Sequence, residues 1–132
     1  MSLYILHVED DPDDVELLQN AFQDIPTLPK VKVIREGHKV LPWLEHQDTL
    51  PDVIVMDLNL PKMHGKEILA AIKSNDKLKD IPIVILTTSS SKEDKKYCLD
   101  HGVITYITKP STVQGFRDAV TTILAAAQSY SH

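Results

Sequence analysis

The chain is poor in the residues that crosslink small secreted domains or build glycine-rich nucleotide loops. It has 132 residues and one cysteine, Cys98, which has no partner for an internal disulfide. Its four glycines are too widely spaced for either a GxGxxG or a GxxxxGK motif. It also lacks a signal-peptide pattern and any apolar run near the ~20 residues of a membrane-spanning helix. We therefore expect a cytoplasmic protein that makes no membrane contact.

Basic residues are also in deficit, with 14 Lys and Arg against 19 Asp and Glu and a formal net charge of −5. This balance argues against nucleic acid or anionic lipid as a partner bound by general electrostatic attraction, and it favours cations. A chain of this length suits one domain with its own hydrophobic core. We expect a single domain over residues 1–132, with its core at about residues 3–128.

Short apolar runs alternate with segments of helical periodicity along the whole chain. Strands are predicted at 3–8, 31–34, 53–56, 83–86 and 104–108, each followed by a helix. Strict alternation of this kind predicts an α/β fold: a five-stranded parallel sheet of order 2-1-3-4-5, flavodoxin-like and doubly wound, (βα)5.

Local signals refine the helices. Pro12 marks the start of the first helix, and residues 37–46 form the predicted second one. Ser90 with Glu93 is a possible capping box for the fourth helix, which Gly102 ends, and Ser111 with Gln114 can cap the fifth. The buried face of the fifth helix is predicted to comprise Val113, Phe116, Val120, Ile123, Leu124 and Ala127.

Polar side chains follow the predicted strands at the edge where ligands of this fold bind. Because the first and third strands are neighbours, Glu9, Asp10 and Asp57 should converge there. Like charges so close require trapped protons or a cation, and carboxylate oxygens favour Mg²⁺ or Mn²⁺ with a phosphoryl group completing the coordination. Lys109, held extended by Pro110, can reach back to Asp57 or to a phosphoryl oxygen.

Other acids near this edge have a simpler interpretation. Asp11, Asp13 and Asp14 suit the N-terminus of the first helix, where they cap it or face solvent. Thr87 and Thr88 follow the fourth strand, and Thr87 alone could be an ordinary β-branched strand residue.

Four motifs in order make the sequence resemble the receiver domain of two-component response regulators over essentially its whole length. They are ILHVED at 5–10, VIVMDLNLPKMHG at 53–65, IVILTT at 83–88 and YITKP at 106–110. The resemblance implies Asp57 as phosphoacceptor, Asp10 and Asp57 as Mg²⁺ ligands, and Glu9 acting through a metal-bound water. It also implies the backbone carbonyl of Asn59 as a ligand, Thr87 and Lys109 as catalytic groups, a Thr87–Tyr106 switch, and Thr88 as a modulator of dephosphorylation.

The resemblance also implies the partners. The phosphoryl group would come from a sensor histidine kinase or a histidine phosphotransfer protein. About twenty residues follow Pro110, too few for an output domain, so the chain is expected to act on a downstream protein. The short chain and its Asp-Pro-Asp-Asp segment are similar to stand-alone, phytochrome-associated regulators. The family's contact surface of fourth helix, fifth strand and fifth helix would include Tyr97, Cys98, Tyr106 and Phe116, and it could also support a homodimer.

Three other functions stay open at this stage. The chain could be a phosphorelay intermediate, or an aspartyl-phosphate hydrolase on a related fold. Hydrolases carry a second aspartate two residues after the nucleophile, where this chain has Asn59. A flavodoxin-like binding module would need a glycine- and hydroxyl-rich loop after the first strand, where this chain has acids.

His7 departs from the receiver-domain pattern, which usually has an aliphatic residue at this strand position. We expect its imidazole to be buried with a hydrogen-bond partner.

Overall fold

The computed structural model describes residues 3–130 as one five-stranded parallel sheet with helices on both faces. The strand order is β2-β1-β3-β4-β5, as predicted, and each strand begins or ends within one residue of its predicted bounds. The elements are β1 Tyr4–Val8, α1 Pro12–Gln23, β2 Lys30–Ile34, a 3₁₀ turn Gly37–Lys39, α2 Val40–Glu45, β3 Val53–Met56, α3 Gly65–Lys73, β4 Ile83–Thr87, α4 Lys92–Asp100, β5 Thr105–Thr108 and α5 Val113–Tyr130.

The central strands are apolar throughout because both of their faces are covered. Residues of β3 alternate between two cores: Ile54 and Met56 pack on the side of α2, α3 and α4, whereas Val53 and Val55 pack on the side of α1 and α5. The four residues of β3 are fully buried. A continuous apolar run is therefore the pattern of a two-sided strand in the middle of the sheet.

The cap predictions were wrong by one residue at two helices. The N-cap of α4 is Ser91, whose hydroxyl accepts a hydrogen bond from the backbone N–H of Asp94 at 3.2 Å, and not Ser90. The hydroxyl of Thr112, and not of Ser111, accepts from Gly115 N at 3.0 Å before α5. Each true cap stands beside another hydroxyl residue, so composition alone does not fix the register.

Some predicted surface and core positions are exchanged. Val113, predicted for the buried face of α5, is 59% exposed, and Cys98, predicted for a contact surface, is buried. Phe116, predicted both for the buried face of α5 and for the contact surface, is buried. Val113 is the first residue of α5, before the helix reaches the sheet. Cys98 and Phe116 instead belong to the two cores.

Gly102 ends α4 as predicted, with a φ of +85° that favours glycine. The helix predicted over residues 37–46 is present as the 3₁₀ turn followed by α2, which ends at Glu45 with His46 as its C-cap. Across the described residues, no helix combines the length and apolarity needed to cross a bilayer.

Candidate functional site

The carboxyl edge of the sheet brings together residues that lie far apart in the sequence. Strands β1 and β3 are in parallel register with Val8 opposite Met56, so the next residues, Glu9 and Asp57, emerge side by side. The backbone N–H of Asp57 donates to Val8 O at 3.0 Å, which fixes this junction. The convergence expected from the strand order is therefore present.

Three carboxylates form the centre of the site. Oxygens of Glu9, Asp10 and Asp57 lie within 4.8 Å of one another. Glu9 is 1% exposed and Asp57 is 4% exposed, while Asp10 is half-buried. Two of these carboxylates are thus withdrawn from water and need charge compensation from within the protein or from a bound cation.

Lys109 supplies the internal compensation. Its Nζ lies 2.9 Å from Asp57 Oδ2, 2.8 Å from Glu9 Oε1 and 2.6 Å from Asp14 Oδ2, and its side chain is 8% exposed. Burial alone would lower the pKa of Lys109, but the hydrogen bonds to Asp14, Glu9 and Asp57 outweigh it and raise that pKa. The lysine is a permanent cation at the edge of the sheet.

The single positive charge of Lys109 does not neutralise all of the carboxylates around it. Burial raises the pKa of Glu9 to about 7, and the nearby charge of Asp57 adds to that rise against the opposing effect of Lys109. Asp57 differs: burial opposes ionisation, but hydrogen bonds from Thr87 and Lys109 hold its pKa below the usual range. Asp57 is therefore ionised, and the pocket holds surplus negative charge next to it.

This donor set fits a hard divalent cation. Carboxylate oxygens on three residues within 4.8 Å of one another, one of them half-buried and open to solvent, match how proteins bind Mg²⁺ or Mn²⁺ with waters in the remaining positions. The residues that would hold the ion are Glu9, Asp10 and Asp57. A cation there would oppose the effects of burial and of the Asp57 charge, which together raise the pKa of Glu9, and would favour its ionised form.

Hydroxyl groups complete the edge on the side of β4 and β5. Thr87 is fully buried beside Asp57, and its Oγ1 also accepts from Ser89 N at 3.4 Å. The Tyr106 hydroxyl donates to the Ser89 carbonyl at 2.8 Å. Thr88 is exposed. Ser89 thus links the two residues of the predicted switch, a connection that the sequence motifs did not indicate.

The loop between β3 and α3 forms the opposite wall. The backbone N–H of Asn59 donates to Asp57 Oδ1 at 3.3 Å, and its side chain is exposed. Gly37 packs so closely against this loop that a Cβ at that position would lie 2.1 Å from Met63 O. The Gly37 N–H also donates to Pro61 O at 3.1 Å. The turn that follows β2 therefore packs against the loop between β3 and α3 and holds it in place.

Two residues depart from what the sequence predicted. Asp14, predicted to face solvent, makes the shortest contact to Lys109. No motif identified it, although its place in the first turn of α1, at the same edge of the sheet, was a usable signal. His7 is buried as predicted, but its Nδ1 has no hydrogen-bond partner among the described residues.

Comparison with known proteins identifies the family. A model described as "Response regulator receiver domain" matches residues 5–121. The response regulator Rcp1 of Synechocystis sp. (strain ATCC 27184 / PCC 6803 / Kazusa) is 37% identical over 110 residues, which is 80% of this chain and 75% of Rcp1. The probable methanogenesis regulatory protein FilR2 of Methanothrix harundinacea (strain 6Ac) is 32% identical over 120 residues, 88% of this chain and 77% of FilR2.

Solved structures agree. The phosphorylated cyanobacterial phytochrome response regulator RcpA superposes with a TM-score of 0.90 at 34% identity, covering 100% of this chain and 98% of RcpA. The Mn²⁺-bound form of Rcp1 gives a TM-score of 0.84 at 34% identity, with 93% and 92% coverage. The fold, the edge cluster and these matches converge on one conclusion: the chain belongs to the response regulator receiver domain family.

Proposed function

We propose that this chain is a phosphorylation switch in which Asp57 accepts a phosphoryl group from a phosphohistidine in a Mg²⁺-dependent reaction. The donor would be a sensor histidine kinase or a histidine phosphotransfer protein, and the switch would work in the cytoplasm. The observation that carries the proposal is the contact of Lys109 with Asp57 at 2.9 Å inside a cluster of carboxylates. The phosphorylated RcpA and the Mn²⁺-bound Rcp1 among the similar structures support both parts.

Asp57 would act as the nucleophile. Its lowered pKa keeps the carboxylate ionised at neutral pH, so no base is needed. One carboxylate oxygen forms a bond to phosphorus, the phosphorus–nitrogen bond of the phosphohistidine breaks, and its electron pair returns to the imidazole. Asp57 then carries an acyl phosphate.

The surrounding residues would stabilise the charge of the transfer. Glu9, Asp10 and Asp57, with the backbone carbonyl of Asn59, would hold the cation, and Glu9 would act through a bound water. When bound, Mg²⁺, or Mn²⁺ in its place, supplies charge neutralisation at the phosphoryl oxygens. Lys109 and the Thr87 hydroxyl would donate hydrogen bonds to those oxygens from the other side.

Receiver domains are generally non-enzymatic signalling proteins, and the site suits that role. Hydrolases on related folds use an acid two residues after the nucleophile, where this chain has the neutral and exposed Asn59. We therefore propose self-phosphorylation and slow autodephosphorylation only. Thr88, exposed beside the site, would modulate the rate of autodephosphorylation.

Phosphorylation would be transmitted through Ser89. A phosphoryl group on Asp57 draws the Thr87 hydroxyl toward it, and Ser89 is bonded to Thr87 on one side and to Tyr106 on the other. The movement would therefore change the position of Tyr106. Such a change needs only a few kcal/mol between two packings.

The output surface would lie on α4, β5 and α5. Leu99 on α4 is 44% exposed and Val113 on α5 is 59% exposed, while Tyr97 and Tyr106 are half-buried. Exposed apolar side chains of this kind suit a downstream protein target or a second copy of the chain. Size-exclusion chromatography with light scattering, before and after phosphorylation, separates these two occupants.

The test is phosphorylation by acetyl phosphate, followed by intact mass spectrometry. The unmutated protein should gain one phosphoryl group with Mg²⁺ and none with EDTA, and Asp57→Asn should gain none. Asp52 precedes β3, at the end of the strand opposite to Asp57, and accepts a hydrogen bond from Tyr4 N. Asp52→Asn is therefore the matched control and should be phosphorylated normally. Absence of modification in the unmutated protein would refute the proposal, and multiple-turnover release of phosphate would indicate a hydrolase instead.

A further inference from the structure

The ammonium of Lys109 has an acceptor outside the predicted cation cluster. Its Nζ lies beside oxygens of three carboxylates and donates hydrogen bonds to Asp14 and Asp57, and Asp14 Oδ2, at 2.6 Å, is the nearest of the three. Asp14 lies in the first turn of α1, is 20% exposed, and is not one of the three residues whose oxygens cluster within 4.8 Å. The other two partners, Glu9 and Asp57, both belong to that cluster.

This arrangement creates a competition for negative charge. Glu9 and Asp57 can neutralise either Lys109 or a divalent cation, and each charge that they share with one is less available to the other. Because Asp14 on α1 also accepts a hydrogen bond from the ammonium, Glu9 and Asp57 neutralise a smaller share of its positive charge. Charge-assisted contacts at such short distances, with both partners largely withdrawn from water, are strong enough to control where the ammonium rests.

We propose that Asp14 is a positioning residue that holds the Lys109 ammonium toward α1, so that Glu9 and Asp57 stay available to the divalent cation. The same contact keeps Lys109 in place when its hydrogen bond to Asp57 passes to a phosphoryl oxygen. The inference rests on the proposed function and extends it to a residue outside the family's motifs. Asp14 acts through Lys109 and not by contact with the cation.

The experiment is a Mn²⁺ titration of the unphosphorylated full chain, with free Mn²⁺ measured by electron paramagnetic resonance. Asp14→Asn keeps the shape and removes the charge, and we expect it to weaken Mn²⁺ binding about fivefold or more. Asp13→Asn removes the same formal charge at the neighbouring exposed position, and we expect less than about a twofold change because solvent screens it. Asp14→Glu should recover part of the loss.

A second background tests the route through Lys109. In Lys109→Gln there is no ammonium to hold, so adding Asp14→Asn should change the affinity no more than Asp13→Asn does. Circular dichroism melts establish that each variant is folded. If Lys109→Gln does not fold, the comparison of Asp14→Asn, Asp14→Glu and Asp13→Asn still decides whether the Asp14 carboxylate controls Mn²⁺ affinity.

The outcomes separate this inference from the proposed function. Equal Mn²⁺ affinities for Asp14→Asn and Asp13→Asn, or an undiminished effect of Asp14→Asn without Lys109, would overturn the inference while the switch stands. If the unmutated protein binds no Mn²⁺, the cation part of the proposed function fails and the inference fails with it.

Discussion

His7 offers the sharpest test of the electrostatics beneath the site. The side chain is 2% exposed, and its Nδ1 has no hydrogen-bond partner within residues 3–130. Burial, together with the positive charge of Lys109, lowers the pKa of His7 from 6.5 to about 4, although Asp57 opposes the shift. The folded protein therefore keeps a neutral imidazole over a range in which the unfolded chain binds a proton.

The sign of the effect follows from proton linkage. Because the unfolded chain binds the extra proton, the stability contributed by neutral His7 is complete above pH 6.5 and is lost as the pH falls toward 4. A shift from 6.5 to about 4 at 1.36 kcal/mol per unit corresponds to about 3 kcal/mol. Glu9 acts in the opposite direction: its pKa rises from 4.5 to about 7, so its protonation favours the folded state as the pH falls.

The perturbation is His7→Val, which removes the titrating group and keeps a buried apolar side chain. Measured in EDTA by urea unfolding between pH 7.5 and 4, the free energy of unfolding of His7→Val should gain about 3 kcal/mol on that of the unmutated protein. The difference between the two proteins cancels the contribution of Glu9. His46→Gln, at an exposed histidine, is the control for surface charge. A difference that stays constant across this pH range would refute the reasoning.

Three further predictions concern other parts of the molecule. Burial raises the pKa of the Cys98 thiol from 9.0 to about 11, so at pH 8 its reaction with a disulfide reagent should be at least about 100-fold slower in the folded protein than in urea; equal rates would contradict this. Gly37→Ala should cost about 1–3 kcal/mol of stability and slow phosphorylation, because its Cβ meets Met63 O, whereas Gly102→Ala should affect stability alone; calorimetry and the acetyl phosphate assay distinguish them. Lys109→Ala leaves buried carboxylates without their counter-ion and should lower the free energy of unfolding by about 3–5 kcal/mol in EDTA, with part of the loss recovered in Mg²⁺. A free energy of urea unfolding that does not depend on Mg²⁺ would count against the cation site.

The sequence predicted the fold well because the burial of each helix or strand requires apolar residues in a recognisable pattern. Strands β3 and β4 are covered on both faces, so each is an apolar run with sharp ends, and β3 was predicted to the residue. Cap positions were less predictable. A serine or threonine stands at each of two adjacent positions before α4 and α5, and only the folded backbone selects Ser91 and Thr112 as the hydroxyls that accept a helix N–H.

The site was predictable in part for a similar reason. Parallel strands in order 2-1-3-4-5 deliver their carboxyl ends to one edge, so Glu9, Asp10, Asp57, Thr87 and Lys109 could be placed together from sequence spacing alone. Their roles in phosphoryl transfer stay predictions until the phosphorylation experiment is done.

The amino-acid sequence by itself determined the strand order, the two-sided core and the identity of the acids at the sheet edge, because all three depend on local pattern and chain connectivity. Only the tertiary structure decided which carboxylates share Lys109. Asp14 and Lys109 are 95 residues apart, and their contact depends on how α1 packs beside α5 on the same face of the sheet, which no local pattern records. The packing of α4 and α5 on opposite faces of the sheet likewise buries Cys98 and Phe116 and leaves Leu99 and Val113 exposed, because the side of a helix that meets the sheet is fixed by its neighbours.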